Sequence, residues 1–544
     1  MNRNKNLLIE TITAAVLHLP PELRERFDGT VEILPTARPE FGDFAANIAF
    51  KLAGKNAKPP VIAERLAAEI AGDLPPFLAK IEVKNCFINF FLKQESALDV
   101  VRQILSQGER FGFPTAGDGQ KVLIEFVSAN PTGPLTIAHG RQAAFGEALA
   151  RILSFAGRAV TKEYYLNDGG RQISLLGKSL EARWLQQQGK DAAIPEDGYQ
   201  GEYLNDIARM IKEPSTDPDF FMHFAVREIL ADIKKDLKDF GVSFDSWVEE
   251  RRFHESGRVA DVFALLRKKD LLYEKDGSTW FASSRFGDEK DRVVVKSDGS
   301  TTYLAPDMAY HRDKMERGFS ILINLWGPDH HGYIARLKAA IEALGFDPAG
   351  FSVMIVQLTT LYRGEEKLRM STRAGEFVTL RQLMDEVGPD AAKFFFLFRR
   401  AESHLDFDLE VAKKQSLENP VYYLQYAYVR LLHVLHYAEE QGKTAERLAA
   451  ADLSLLTEPP ELEIAKKLAR FPELVEQIAT GYDVHLLAEY LIELAQQFHS
   501  YYAKCRIVSG DARLTESRLA LTQAVRRIFS TALTLLNISL PDKM

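Results

Sequence analysis

Apolar positions change their spacing twice along the chain. From residue 1 to about 112, helical spacing such as Pro59–Ile70 is mixed with a short apolar run, Cys86-Phe87-Ile88-Asn89-Phe90-Phe91-Leu92, which reads as a strand. From Lys121 to about Arg400, short apolar runs alternate with helical stripes, which predicts a largely parallel sheet. From about Ala401 onward only helical spacing is found, so a helical bundle is expected. The Gly- and Pro-rich stretch FGFPTAGDGQ, residues 111–120, separates the first pattern from the second. The fold class expected is therefore multidomain α/β plus all-α, with units at 1–112, 113–400 and 401–544. A chain of 544 residues is too long for one core.

The middle unit opens most clearly. Val122–Val127 reads as a buried strand, Ser128–Pro134 as a turn-rich loop, and Ile137, Phe145, Leu149, Ile152 and Leu153 as a helix stripe ended by Gly157. Ala159–Leu166 is the next strand. Such a βαβ unit places its first loop at the strand's carboxyl end, where open α/β sheets bind ligands. Further on, Arg292–Lys296 and Thr301–Leu304 flank Ser297-Asp298-Gly299-Ser300, a hairpin signal, and Ile321–Trp326 and Val353–Leu358 are strand candidates. The text from about Glu181 to Ser284 is mostly helical and reads as an insertion.

Composition adds limits. Hydrophobic residues at 46% and charged residues at 26% are those of an ordinary globular protein, and no apolar run is long enough to span a bilayer. The opening MNRNKNLLIETITAAVLHL has the basic-then-apolar order of a signal peptide. Glu10 and Thr11 interrupt it, so an amphipathic first helix is expected instead. Two cysteines, Cys86 and Cys505, far apart and without metal-ligand spacing, argue for a reducing cytoplasm and against a structural zinc or a disulfide framework. A formal charge of −8 supplies no general basic footprint. Local patches outweigh the total in a large chain, so a nucleic-acid partner is neither supported nor excluded on this ground.

Two segments carry candidate chemistry. In Pro131-Thr-Gly-Pro-Leu-Thr136-Ile-Ala138-His139-Gly140-Arg141 a loop runs into a helix, whose first N–H groups favour an anion and whose histidine can donate to phosphate oxygens. The segment lacks the Gly-Lys-Ser/Thr ending of a Walker loop and the G-x-G-x-x-G of a dinucleotide fingerprint. Its plain alternative is a capped helix bearing a surface histidine. The second segment, Gly364-Glu-Glu-Lys367-Leu-Arg369-Met370-Ser371-Thr372-Arg373-Ala-Gly375, follows a strand and can bring cations onto a polyphosphate; its plain alternative is a solvated basic loop.

Together the two segments resemble the HIGH and KMSKS signatures of class I aminoacyl-tRNA synthetases. EFVSANPTGPL, YYLNDGGRQI (Tyr164–Ile173), PEDGYQGEYL (Pro195–Leu204), YLAPDMAYHRDK (Tyr303–Lys314), WGPDHHGY (Trp326–Tyr333) and HLDFDLEVAKKQSLENPVYYLQYAY (His404–Tyr428) resemble the arginine-specific enzymes of bacterial type. The resemblance runs nearly end to end. It implies a Rossmann-like parallel-sheet catalytic domain with the insertion at about 181–284. It also implies an N-terminal α+β domain that binds the tRNA D-loop and a C-terminal helical bundle that binds the anticodon.

The activity it implies is ligation of L-arginine to tRNA(Arg) through an arginyl-adenylate, with ATP as co-substrate, Mg2+ alongside it, and AMP and pyrophosphate released. By the same resemblance His139 contacts ATP phosphates, together with Ala138, Gly140, Met370 and Ser371. Glu125, Ser128 and Asn130 hold the amino acid's backbone groups. Tyr303 and Asp307 receive the guanidinium, for which a carboxylate and a flat hydroxyl-bearing neighbour are suited. Gly327, Asp329 and His330 face the adenosine or the substrate. Phe87 and Asn89 read the D-loop, and Tyr423, Tyr426, Tyr502 and Met544 contact the anticodon. A cytoplasmic monomer without membrane partners is expected.

The chain departs from the family pattern at both signatures. Thr136 and Ala138 replace the first histidine and the glycine of HIGH, and Thr372 stands at the second lysine of KMSKS. Some arginyl enzymes compensate with a lysine upstream of HIGH, but here that position is Gly133. Lys367, Arg369 or Arg373 is therefore expected to supply the missing cation. The rival readings are a catalytically silent tRNA-binding relative, suggested by the altered signatures, and a small-molecule nucleotidyltransferase, which would not need the tyrosine-rich helical domain.

Overall fold

The protein is described from a computed structural model covering residues 3–36, 38–54, 57–114, 119–368 and 377–544. The N-terminal part folds around an antiparallel sheet of β1 (Ile33–Pro35), β2 (Phe44–Ala46), β3 (Leu78–Lys84) and β4 (Phe87–Leu92), in the order β1-β2-β4-β3. The expected strand at Cys86 starts one residue later. Asn85 and Cys86 form the β3–β4 turn with φ of 50° and 66°, the left-handed values that tight hairpins require. Helices Arg3–Leu17 and Pro59–Gly72 bury Leu8, Ile12, Ile62 and Leu66 with Phe90 in a separate core.

The second sheet begins with β5 (Lys121–Glu125), β6 (Ala159–Leu166) and β7 (Ser246–Glu249). A small antiparallel sheet of β8 (Leu272–Lys275), β9 (Ser278–Phe281) and β10 (Arg292–Val295) follows, before β11 (Ile321–Trp326) and β12 (Phe351–Ile355) complete the large one. All five large-sheet strands are parallel, in the order β12-β11-β5-β6-β7. Val122, Leu123 and Ile124 are fully buried because helices cover both faces of a parallel sheet, which is why β5 reads as a continuous apolar run.

Four expectations need correction. The segment read as an insertion contributes β7 to the large sheet; with four residues at the sheet's edge, it left only Trp247 and Val248 as a signal. The hairpin after β10 closes through Lys296 N–H to Ser300 O at 2.8 Å, but its second arm is a single bridge at Thr301 before a helix starts at Leu304. The run beyond Ala401, read as purely helical, holds β15 (Leu405–Asp408), parallel to β13 (Thr359–Arg363), which also pairs with β14 (Glu366–Lys367). Leu405 and Phe407 point inward in strand alternation, but four residues are too few to stand out against long helices. Also, β12 starts at Phe351 rather than Val353 and ends before Val356; Gln357 N–H bonds to Ala401 O instead.

Helix α1 (Ile137–Phe155) crosses from β5 to β6 and is buried on nearly every side. Small residues make this possible: a Cβ on Gly146 would lie 2.3 Å from the Phe126 ring, and one on Gly140 2.7 Å from Leu380 Cδ1. Two further helices matter for the site, α2 (Leu304–Glu316) and α3 (Leu380–Val387). The C-terminal helices Pro420–Glu440, Pro459–Ala469, His485–Lys504 and Ala512–Leu535 form the expected bundle. Asn419 and Asp511 cap two of them by accepting from Val421 N–H and Arg513 N–H. Leu424, Leu494 and Phe529 of this bundle belong to one continuous core with Ile152, Leu383 and Phe394, and with Val101 of helix Gln94–Gln107. Among the described residues no helix is long and apolar enough to cross a membrane.

Candidate active site

The carboxyl ends of β5, β6 and β11 lie side by side, the place where open α/β sheets form their ligand crevice. The chain leaves β5 through Val127 and Ser128, whose φ values of 67° and 39° are left-handed; for a β-branched valine this is backbone strain, and it turns the loop sharply over the sheet edge. Glu125, at the end of β5, is buried. It accepts from Lys314 Nζ at 2.5 Å and from Ser128 Oγ at 3.2 Å, while Ser128 Oγ accepts from Tyr165 N–H at 3.1 Å. Asn130 lies farther out, its amide donating to Gln172 Oε1 at 2.9 Å.

Asp307, on the first turn of α2, is half-buried and accepts from Tyr333 Oη at 2.5 Å. Burial first, then the nearby charges of Glu125 and Glu250, raise its carboxyl to about 7 against the Tyr333 bond and Lys314, which lower it. Glu250 is likewise raised, by burial above all, and accepts from Tyr165 Oη at 3.1 Å. Tyr165 stacks on Tyr310 at 4.4 Å, and Tyr310 donates to the fully buried Glu163, which also takes a forked pair of bonds from Arg317. The pocket thus has an aromatic wall and a surplus of carboxylate. It suits a flat cation with several donors.

Tyr303 is 73% exposed and reaches Asp307 through a backbone bond, Asp307 N–H to Tyr303 O at 3.3 Å. The hydroxyl that meets the carboxyl is that of Tyr333, which sequence reasoning passed over although the WGPDHHGY phrase contains it. Glu250, Tyr165 and Lys314 were also missed: each comes from a different element, and only the fold gathers them. Gly327, Asp329 and His330 occupy the turn after β11, with the His330 ring 5.9 Å from Trp326 and its Nε2 3.5 Å from Asp329.

At the other end of the crevice His139 is half-buried within the first turn of α1, not a free surface histidine. Its Nδ1 accepts from Thr136 N–H at 3.1 Å, one arm of a capping box. An accepting Nδ1 leaves the ring proton on Nε2. Burial lowers its pKa to about 4, so the ring is a neutral donor near neutral pH. Ala138 is half-buried beside it, and Gly140 is buried against Leu380.

The backbone joins the first signature segment to the residues that open α3, beyond the second. Thr136 bridges Thr379, and Leu380 N–H bonds to Leu135 O at 2.8 Å, so the start of α1 and the start of α3 meet. Thr379 heads a second capping box, with Gln382. Lys367 is exposed on β14. Arg369, Met370, Ser371 and Arg373 lie outside the described residues. Among those described, no group of three or more His, Cys, Asp or Glu is arranged to hold a metal ion.

Away from the crevice, Phe87 meets the 47%-exposed Phe50 edge-on at 5.5 Å, whereas Asn89 is only 2% exposed, its amide donating weakly to Phe87 O. In the C-terminal bundle Tyr423 and Tyr426 flank His499, at 5.0 and 5.9 Å. Arg430 lies over the rings of both Tyr426 and Tyr502, at 4.6 and 4.8 Å. The fold therefore gathers three of the four expected tyrosine and methionine positions and adds His499 and Arg430; Met544 is exposed at the chain's end.

A parallel sheet whose first crossover helix opens on a histidine, bridged by backbone to the start of α3, is the arrangement expected of a class I aminoacyl-tRNA synthetase catalytic domain. The comparisons agree. The family profile "tRNA synthetases class I (R), catalytic domain" matches residues 100–396, "Arginyl tRNA synthetase N terminal domain" matches 5–92, and "DALR anticodon binding domain" matches 424–544. The arginine–tRNA ligase of Oceanobacillus iheyensis is 42% identical over 559 residues, covering 100% of both chains. That of Desulfosudis oleivorans is 45% identical over 520 residues, covering 93% of each. The solved arginyl-tRNA synthetase of Thermus thermophilus, 23% identical, superposes over 99% of this chain and 100% of its own with a TM-score of 0.78, which speaks for the fold. The chain belongs to the arginine–tRNA ligase family, whose reaction consumes ATP and joins arginine to tRNA in protein synthesis.

Proposed function

We propose that the acidic end of the crevice receives the arginine side chain and the His139 end receives ATP. The single observation that carries this reading is the pairing of Asp307 with Tyr333 beside Glu250, a carboxylate-rich, half-desolvated pocket. Asp307 and Glu250 would meet the guanidinium, with Tyr303 closing over the pocket from the exposed side. Glu125, Ser128 and Asn130 would hold the α-ammonium and orient the carboxylate. A carboxylate oxygen of arginine attacks the α-phosphorus, and the bond from that phosphorus to the departing pyrophosphate oxygen breaks. His139 Nε2–H donates to phosphate oxygen as charge builds there, helped by Ala138 and Gly140 at the helix start and by Lys367, Arg369, Ser371 and Arg373 from the second signature. Gly327, Asp329, His330 and Met370 would line the adenosine side. A ribose hydroxyl of the tRNA end then attacks the carbonyl carbon of the adenylate, releasing AMP. Rate comes from positioning and electrostatics, without a covalent enzyme intermediate.

Magnesium would accompany the ATP phosphates. Bound there, it would neutralise charge on the phosphate oxygens. The units 1–112, 113–400 with its interrupted insertion, and 401–544 would serve D-loop binding, catalysis and anticodon binding. Phe87 with Asn89, and Tyr423, Tyr426, Tyr502 and Met544, are the proposed tRNA(Arg) contacts in a cytoplasmic monomer. Charging of purified tRNA with radiolabelled arginine, beside the other amino acids, tests the reading. Arginine alone should be esterified; failure under tRNA saturation would refute it.

A further inference from the structure

Arg141 stands two residues after His139 on α1 and has no solvent exposure at all. Its guanidinium bonds to no carboxylate among the described residues. Instead Nη1 donates to Gln357 O at 2.8 Å and Leu358 O at 3.3 Å, and Nη2 donates to Arg400 O at 3.0 Å and Ser403 O at 2.9 Å. Among the described residues Nε finds no partner. Desolvation pulls its pKa down to about 10, the mark of a cation held by carbonyl dipoles alone. Burying a charge without a counter-ion is costly, so a merely apolar requirement at this point of α1 would be met better by leucine or methionine.

The four carbonyls explain the cost. Gln357 and Leu358 are the two residues just before β13, and Arg400 and Ser403 precede β15, its parallel neighbour. The same two stretches bond to each other, Gln357 N–H to Ala401 O at 2.8 Å and Leu405 N–H to Leu358 O at 3.2 Å. One planar fork therefore fixes the root of the small sheet that ends in β14 and Lys367, relative to the helix turn bearing His139. A forked guanidinium suits this, since its donors diverge at fixed angles toward two strands, which an ammonium cannot reproduce.

We propose that Arg141 is a positioning residue for adenylate formation: it sets the distance between His139 and the Lys367-bearing sheet, so both reach the polyphosphate together. This rests on the assignment of Lys367 to the phosphates made above. Because the arginine pocket is built from β5, β6, α2 and the segments that follow β7 and β11, the effect should fall on the chemical step and spare arginine binding.

The test is tRNA-saturated ATP–pyrophosphate exchange on the full chain, well below the thermal midpoint of each variant. Arg141→Lys keeps the charge but loses the fork. It should lower kcat by about tenfold, with the arginine KM changed by less than about twofold, the pattern of an interaction realised in the transition state. Arg141→Met should lower it further, and the Lys variant carries the test if the Met variant does not fold. In a cycle with Lys367→Gln, the double variant should lose no more than the worse single variant, because both act through one sheet position. Wild-type exchange in Arg141→Lys, or kcat falling in step with weaker arginine binding, would overturn the proposal. So would losses that multiply in the double variant. A Lys367→Gln variant that is itself unimpaired would instead remove the Lys367 assignment.

Discussion

Around Asp307 polar side chains are packed into a dense, mostly buried network: Glu125 with Lys314, Glu163 with Arg317 and Tyr310, Glu250 with Tyr165. Around His139 the first-turn contacts are a neutral imidazole, two capping boxes and a backbone bridge, with Lys367 on exposed β14. Ion pairs are thus buried together around Asp307, whereas near His139 the described cations are one buried guanidinium held by carbonyls and one exposed lysine. A buried array of charges is rigid, because each group that moves leaves another unpaired. Arrangement of phosphates tolerates, and for turnover needs, groups that can let go.

The largest effect should come from breaking the buried side. Lys314→Met leaves Glu125 charged in the interior without its counter-ion, only the Ser128 hydroxyl still donating to it, and should lower the unfolding free energy by about 3–5 kcal/mol in denaturant melts, while the same kind of change at exposed Lys367 should leave it within about 0.5 kcal/mol. Next, Asp307→Asn keeps the shape and the Tyr333 bond but removes the charge. Its kcat/KM for arginine should fall about a hundredfold, corresponding to roughly 3 kcal/mol. An unchanged KM for ATP would confirm that the two ends act separately.

The pH dependence separates the ends more finely. Asp307 is raised from 3.8 to about 7, so its ionisation costs the empty pocket stability as pH rises between those values. A bound guanidinium reverses that cost. The arginine KM should therefore be flat above about pH 7 and rise about tenfold per unit below it, as protons compete for the carboxyl. Arginine should also raise the melting temperature more at pH 8 than at pH 6. His139, lowered to about 4, gives the ATP side no matching inflection in that range. A parallel rise in the ATP KM would break the comparison. The smallest change is Tyr333→Phe, which deletes one hydroxyl donor to Asp307; about 1 kcal/mol, or a fivefold rise in arginine KM, is expected.

The same contrast governs what could be read from the chain. Ile321–Trp326 forms a strand over the expected residues because a buried parallel strand is written as an apolar run, and Ala159–Leu166 does so through its β-branched and aromatic residues. β7 and β15 were not legible: each is four residues long and owes its strand form to a partner distant in sequence. His139 and Asp307 stood inside recognisable phrases. Lys314 reads as an ordinary surface residue near the end of a helix, and Tyr333 as the tail of a turn; what makes them part of the site is burial and the direction of one hydroxyl, which spacing does not encode. Asn89 alternates with the core residues Ile88 and Phe90 and so lies on the other face of its strand, yet it is only 2% exposed, a burial that spacing does not encode.

The continuous core that runs from Val101 through Ile152 and Phe394 to Leu494 and Phe529 has a consequence for how such a chain can evolve. A module joined by a linker can be exchanged or lost by recombination, because cutting it exposes little. Here a cut near residue 400 would bare the apolar faces of Leu383, Phe394, Leu424 and Leu494 together. Whatever novelty the anticodon end acquires must therefore arrive as point substitutions on its outer surface, with the inner face inherited jointly with the catalytic part as one unit of selection.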